Sequence, residues 1–91
     1  MVTYKPNFKL TIDYMEYVLI ELTLDDTGVP YQTWIENVSD NNRRTTYIYK
    51  EKCWWYFNSD LQKLTRSAYQ NSINTIIYTY LNKLTNDKIL E

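Results

Sequence analysis

The side chains able to do chemistry are few, and their spacing offers little to catalysis. The 91-residue chain has no histidine and one cysteine, Cys53. Without histidine, the usual neutral-pH acid–base group and most zinc ligand sets are missing. Cys53 has no imidazole to raise its thiolate fraction. It sits on an apolar strand parity among Trp54, Trp55, Tyr56 and Phe57, and reads as a buried structural residue. A phosphate-cradling loop or a dinucleotide fingerprint needs several glycines, and only Gly28 exists. Asp25 and Asp26, just before Thr27 and Gly28, are turn formers rather than a paired acid and base. No EF-hand spacing of oxygen ligands occurs. The expectation is a protein without enzymatic activity, metal or cofactor.

Two groups of residues have the chemistry of binding instead. Arg43, Arg44, Lys50 and Lys52 run into Trp54 and Tyr56. Basic groups hold phosphate while rings stack on bases, so this set suits DNA or RNA. The second group is acidic. Residues 10–42 carry Asp13, Glu16, Glu21, Asp25, Asp26, Glu36 and Asp40 and no Lys or Arg, whereas residues 43–91 carry eight basic groups against four acidic ones. The formal charge of −1 conceals this division. A one-signed stretch steers a charged partner, and carboxylates spread along strands imitate a phosphate track.

The elements that must position these groups follow from periodicity. Phe8, Leu10, Ile12 and Tyr14 alternate with polar residues, and the parity resumes with Val18, Ile20, Leu22 and Leu24. Alternation at period two is a half-buried strand, with a bulge or break near residues 14–17. Asp25-Asp26-Thr27-Gly28 and Ser39-Asp40-Asn41-Asn42 are turns. Between them lies a strand with Val29, Tyr31 and Ile35 on one face and Trp34 on the other. Residues 45–57 form a third extended run, split near Glu51, with Tyr47, Tyr49, Trp55 and Phe57 on its more apolar parity. A helix of about residues 60–85 follows, with Ser59 and Gln62 as a capping box and Asn86 as its stop. Ile77, Tyr78 and Leu81 fall off its main apolar stripe.

The fold class expected is therefore α+β over one domain, residues 1–91. A three- to four-stranded antiparallel meander within 8–57 is followed by a long C-terminal helix packed on one sheet face. If Trp55 and Phe57 fill the core, Trp54 and Tyr56 stand outside, beside Trp34. Such large rings on a small domain anchor protein interfaces. Trp34, Trp54 and Tyr56 are then the anchors, and Asp13, Glu16, Glu21, Asp25, Asp26 and Glu36 steer the partner. Ile77, Tyr78 and Leu81 form a seam for homodimerisation or a second contact. No apolar run approaches the ~20 residues of a membrane span, and no leader-like segment follows Met1, so a cytoplasmic protein is expected.

The function expected is a protein-binding module that occludes another protein, a nucleic-acid-handling one among the candidates. Asn, Ile, Tyr, Thr and Lys abound while Ala, Gly and Pro are scarce, as in AT-rich genomes. With no catalytic equipment, that usage fits a phage or mobile-element inhibitor of a host defence factor. The alternative is a DNA- or RNA-binding module using Arg43, Arg44, Lys50 and Lys52.

Overall fold

A computed structural model describes residues 1–90, with side chains described through residue 86. Its strands are β1 (Val2–Tyr4), β2 (Phe8–Ile12), β3 (Met15–Leu24), β4 (Pro30–Asn37), β5 (Arg43–Lys50), β6 (Cys53–Asn58) and β7 (Lys63–Arg66). A single helix, α1 (Gln70–Leu90), follows them. All the strands join one antiparallel sheet in the order β1-β3-β4-β5-β6-β7, with β2 also paired to β3. The α+β class and antiparallel meander hold. The strand count of three to four is corrected to seven.

The breaks expected near residues 14–17 and near Glu51 are both tight hairpin turns. Asp13-Tyr14 and Glu51-Lys52 are two-residue hairpin loops between the pairs Ile12↔Met15 and Lys50↔Cys53. All four loop residues have positive φ, from 50° at Asp13 to 67° at Tyr14. Such loops normally announce themselves with Asn or Gly, and here they are built from Asp, Tyr, Glu and Lys. The run over 8–24 is thus two strands.

The second hairpin also reverses the expected faces. Because Lys50 pairs with Cys53, odd positions of β5 share a face with even positions of β6. Tyr47 and Tyr49 therefore stand with Trp54 and Tyr56, on the side covered by α1. Trp54 is 1% exposed and belongs to the core, while Phe57 is 59% exposed. The assignment of Trp54 as an exposed anchor is corrected, and Tyr56 is half-buried against the same core. Cys53 is half-buried on the opposite face.

A bulge shifts parity within β3. The β3–β4 register slips between Leu19 and Glu21. The inward set therefore runs Tyr17, Leu19 and then Leu22, Leu24, rather than through Val18 and Ile20. Leu19, Leu22, Ile35 and Tyr47 make the sheet side of the core.

The helix begins later than its first capping signal. Ser59 and Gln62 lie in the β6–β7 turn, where the Gln62 amide donates to the Ser59 carbonyl and Asn58 Oδ1 accepts from the Asp60 and Leu61 amides. A second Ser-x-x-Gln spacing, Ser67 with Gln70, marks the true start: Ser67 Oγ accepts from the Tyr69 amide. The helix then continues past Asn86. Ile73, Ile76, Ile77 and Tyr80 are buried at helical spacing, with Leu81 and Leu84 packed beside them. Ile77 is fully buried, so it is core and not part of an outer seam. Tyr80 meets Tyr4 edge-on at 6.0 Å and Phe8 at 5.6 Å, tying α1 to the first strands.

Trp54→Ala should lower stability by about 3–5 kcal/mol, as for other fully buried large rings, measured by urea unfolding. Replacing Glu51 with Asn and Lys52 with Gly should raise it by about 1 kcal/mol, because both positions lose a left-handed backbone penalty.

Candidate functional site: the uncovered sheet face

The helix covers one side of the sheet, and the cross-strand register fixes what stands on the other. One row crosses Thr3, Thr23, Gln32, Ile48, Trp55 and Arg66. A second runs Glu21, Trp34, Thr46, and a third runs Lys9, Val18, Glu36, Arg44. Phe57 and Leu64 pair on the same side. Ile48 and Leu64 are 39% and 40% exposed, and Trp34 and Trp55 are half-buried. Large apolar groups thus lie side by side across β4 to β7, with no second layer above them among the described residues.

The polar residues of this face are partly organised. Arg44 Nε donates to Glu36 Oε1 at 2.6 Å, and its guanidinium lies 5.5 Å from the centre of the Trp34 ring. The salt bridge to Glu36 places the Arg44 guanidinium against the Trp34 ring, a cation–π contact on one side of the indole. Beside it is a depression of about 280 Å³ bounded by Glu21, Thr23, Gln32, Thr33 and Thr46. Trp55 is oriented by its indole N–H, which donates to the Lys50 carbonyl at 2.8 Å. Carboxylates of the face belong to β3 and β4 (Glu16, Glu21, Glu36), and cations of β5 to β7 (Arg44, Lys50, Arg66) dominate the other half.

The expected site residues are only partly brought together. Trp34 is on this face, Tyr56 is beneath it and Trp54 is in the core. Trp55 and Phe57, assigned to the core from sequence, take the places expected of Trp54 and Tyr56. Glu21 and Glu36 join Trp34, and Glu16 stands at the edge of the same face. Asp13 lies in the β2–β3 turn, whereas Asp25 and Asp26 lie in the β3–β4 turn, across the length of a ten-residue strand. At ~3.3 Å per residue that is roughly 30 Å. The acidic residues therefore do not form one track. Arg44 and Lys50 share the face. Arg43 pairs instead with Asp40 at 3.9 Å, and Lys52 is in the β5–β6 turn. On α1, Tyr78 is 49% exposed, apart from buried Ile77 and half-buried Leu81.

Asp25 has a structural task. Its Oδ1 accepts from the Thr27 hydroxyl at 2.6 Å and from the Thr27 and Val29 amides at 2.9 and 3.0 Å. The Thr27 hydroxyl first, and then the amides, hold its carboxyl below the usual range. Asp26 pairs with the α-amino group of Met1. Among the described residues, no group of three or more His, Cys, Asp or Glu side chains could hold a metal. No described helix is long and apolar enough to cross a membrane.

No family model, curated protein or solved structure matches this chain.

The depressed Asp25 carboxyl contributes stability above its ordinary value of 3.8, and that contribution is lost as pH falls through the lower folded value. The thermal midpoint of Asp25→Ala should lie below that of the original chain at pH 5 to 8 by a constant margin. The margin should shrink below about pH 4.

Proposed function

We propose that this protein is a non-enzymatic protein-binding module that presents its uncovered sheet face to a partner. The observation that carries the reading is the cluster of Trp34, Ile48, Trp55, Phe57 and Leu64 on the face opposite α1. A small domain gains nothing from leaving such groups in water, and a partner that covers them recovers their burial free energy. Trp34 and Trp55 are already oriented, by Arg44 and by the Lys50 carbonyl, so little side-chain entropy remains to be lost on binding. The acidic and basic halves of the face favour one orientation of the partner. In its most specific form the module is a phage or mobile-element inhibitor that occludes a host defence or nucleic-acid protein. Residue usage supports that form, and the separation of Asp13 from Asp25 and Asp26 favours occlusion over imitation of a phosphate track.

A second reading, a DNA- or RNA-binding module, is supported by Lys9, Arg44, Lys50 and Arg66 sharing the face with Trp34 and Trp55. Glu16, Glu21 and Glu36 on the same face oppose it.

The test compares captured proteins from a native host lysate by mass spectrometry. Ile48→Lys combined with Phe57→Asp should reduce recovery of the partner at least ten-fold, ~1.4 kcal/mol, with stability changed by about 1 kcal/mol or less. Equal recovery by that variant would sink the reading. Retention of DNA or RNA at low salt, falling steeply as salt rises, would favour the second.

A further inference from the structure

The sheet is split from within. The β5–β6 ladder holds three pairs, Ile48↔Trp55, Tyr49↔Trp54 and Lys50↔Cys53, and then stops. Yet β5 extends back to Arg43 and β6 onward to Asn58, each still paired on its outer side, to β4 and β7. Beyond Ile48 and Trp55 the two strands diverge towards the β4–β5 and β6–β7 turns. A cleft of about 490 Å³ lies there, bounded by Arg43, Arg44, Thr46, Phe57, Asn58 and Asp60. A second cavity of about 110 Å³ opens on the helix side, lined by Tyr17, Ile35, Tyr47, Tyr56 and Tyr69. Arg43, Thr45 and Tyr56 border both.

Backbone geometry says what faces this opening. A two-residue hairpin makes Lys50 and Cys53 a hydrogen-bonded pair, and such pairs recur at every second residue. Ile48 and Trp55 are therefore the next such pair, so Arg44, Thr46 and Phe57 aim their N–H and C=O groups into the cleft. The opposite side of β6 agrees: the Trp54 carbonyl accepts from the Ser67 amide at 3.0 Å, away from β5. Three residues thus present unspent donors and acceptors at strand spacing, on two facing edges. An unpaired strand edge is a template for another strand.

We propose that the cleft between β5 and β6 accepts an extended peptide segment of a partner protein, which pairs with Arg44 and Thr46 on one side and Phe57 on the other. The inference rests on the protein-binding reading above and specifies the partner's chemistry. Alternate side chains of the segment would face opposite ways. Those on the helix side meet the tyrosine-lined cavity and must be apolar and of moderate size. Those on the other side lie between Arg44 and Phe57, continuous with the uncovered face. The outer edges are poorer acceptors: β7 has four residues and carries Lys63 and Arg66, and the β1–β2 edge is broken at Pro6.

The test pans a phage-displayed random dodecapeptide library against the tagged full-length chain, then resynthesises the enriched peptide. Enriched sequences should alternate apolar and polar residues. Hydrogen exchange should show the Arg44, Thr46 and Phe57 amides fast in the free protein and at least ten-fold slower with peptide. Thr46→Pro removes the donor aimed into the cleft while leaving the β4 ladder intact, and should weaken binding at least ten-fold. As a check independent of any variant, N-methylation of either of two consecutive central peptide residues should also weaken binding at least ten-fold. A segment on an outer edge would tolerate one of the two. No enriched peptide, protection confined to Leu64 and Arg66, or tolerance of one N-methyl group would overturn the proposal. Partner capture that still depends on Ile48 and Phe57 side chains would then leave the protein-binding reading standing.

Discussion

The carboxamide of Gln70 occupies the place a strand residue would take beside Trp54. Its Oε1 accepts from the Trp54 amide at 2.8 Å and its Nε2 donates to the Trp54 carbonyl at 2.7 Å. One turn further along the helix, Asn74 Oδ1 accepts the Trp54 indole N–H at 2.8 Å. The polar groups of a fully buried residue are thereby paired by the first two turns of α1, and burying them unpaired would be costly. The clasp fixes where the helix lands, and so which sheet face is covered. Everything proposed about the other face depends on it. The same Gln70 amide also donates to the Ser67 carbonyl, so the end of the sheet, the start of the helix and the centre of the core are set by one side chain.

What could be read from the sequence divides along physical lines. Turns built from residues that favour positive φ were legible: Gly28, with φ 86°, and Asn41-Asn42 mark their turns. Near residues 14–17 and Glu51 a break was legible but a two-residue hairpin was not, because tertiary pairing holds Tyr14, Glu51 and Lys52 at positive φ against local preference. The cost propagated. Parity continued across the split near Glu51 exchanges the faces of Trp54 and Trp55, and with them the candidate anchors, because the hairpin pairs Lys50 with Cys53. Trp34 and Ile35 keep the opposite faces expected of them because no hidden turn or bulge lies between them on β4. The extra residue near Ile20 had no local sign, since Val18, Ile20 and Leu22 continue an unbroken alternation. On the helix, a contiguous Ile76-Ile77 pair is compatible with several stripes, and contact with the sheet selects one.

The two faces differ in how their aromatic groups are held. In the core, Trp54 lies 5.0 Å from Tyr49, centre to centre, and desolvation pushes the Tyr47 hydroxyl pKa up. Each ring there is enclosed by packing, and Trp54 is held in addition by its hydrogen bond to Asn74. On the uncovered face, Trp34 and Trp55 are fixed by a guanidinium and a carbonyl rather than by a second layer. Preorganisation without burial describes a surface ready to bind, because the entropic cost of orienting the rings has already been met within the fold. Phe57 is different. It has no such support, and it borders the cleft where β5 and β6 part.

That cleft bears on why the sheet's edges are unlike one another. A seven-stranded open sheet has two outer edges, both hazards for uncontrolled pairing. Here one is interrupted by Pro6 and the other is a four-residue strand flanked by Lys63 and Arg66. The unspent backbone groups of Arg44, Thr46 and Phe57 lie instead inside the sheet, where a second molecule can reach them only as a narrow extended chain. A folded sheet edge from another copy is excluded, because its own neighbouring strands would collide with β5 and β6. Such an arrangement keeps the pairing chemistry of a strand edge while restricting it to one shape of ligand. The same logic links cleft and face: a segment seated between β5 and β6 would carry the rest of its protein over Phe57 and Trp55, onto the broad apolar surface opposite α1.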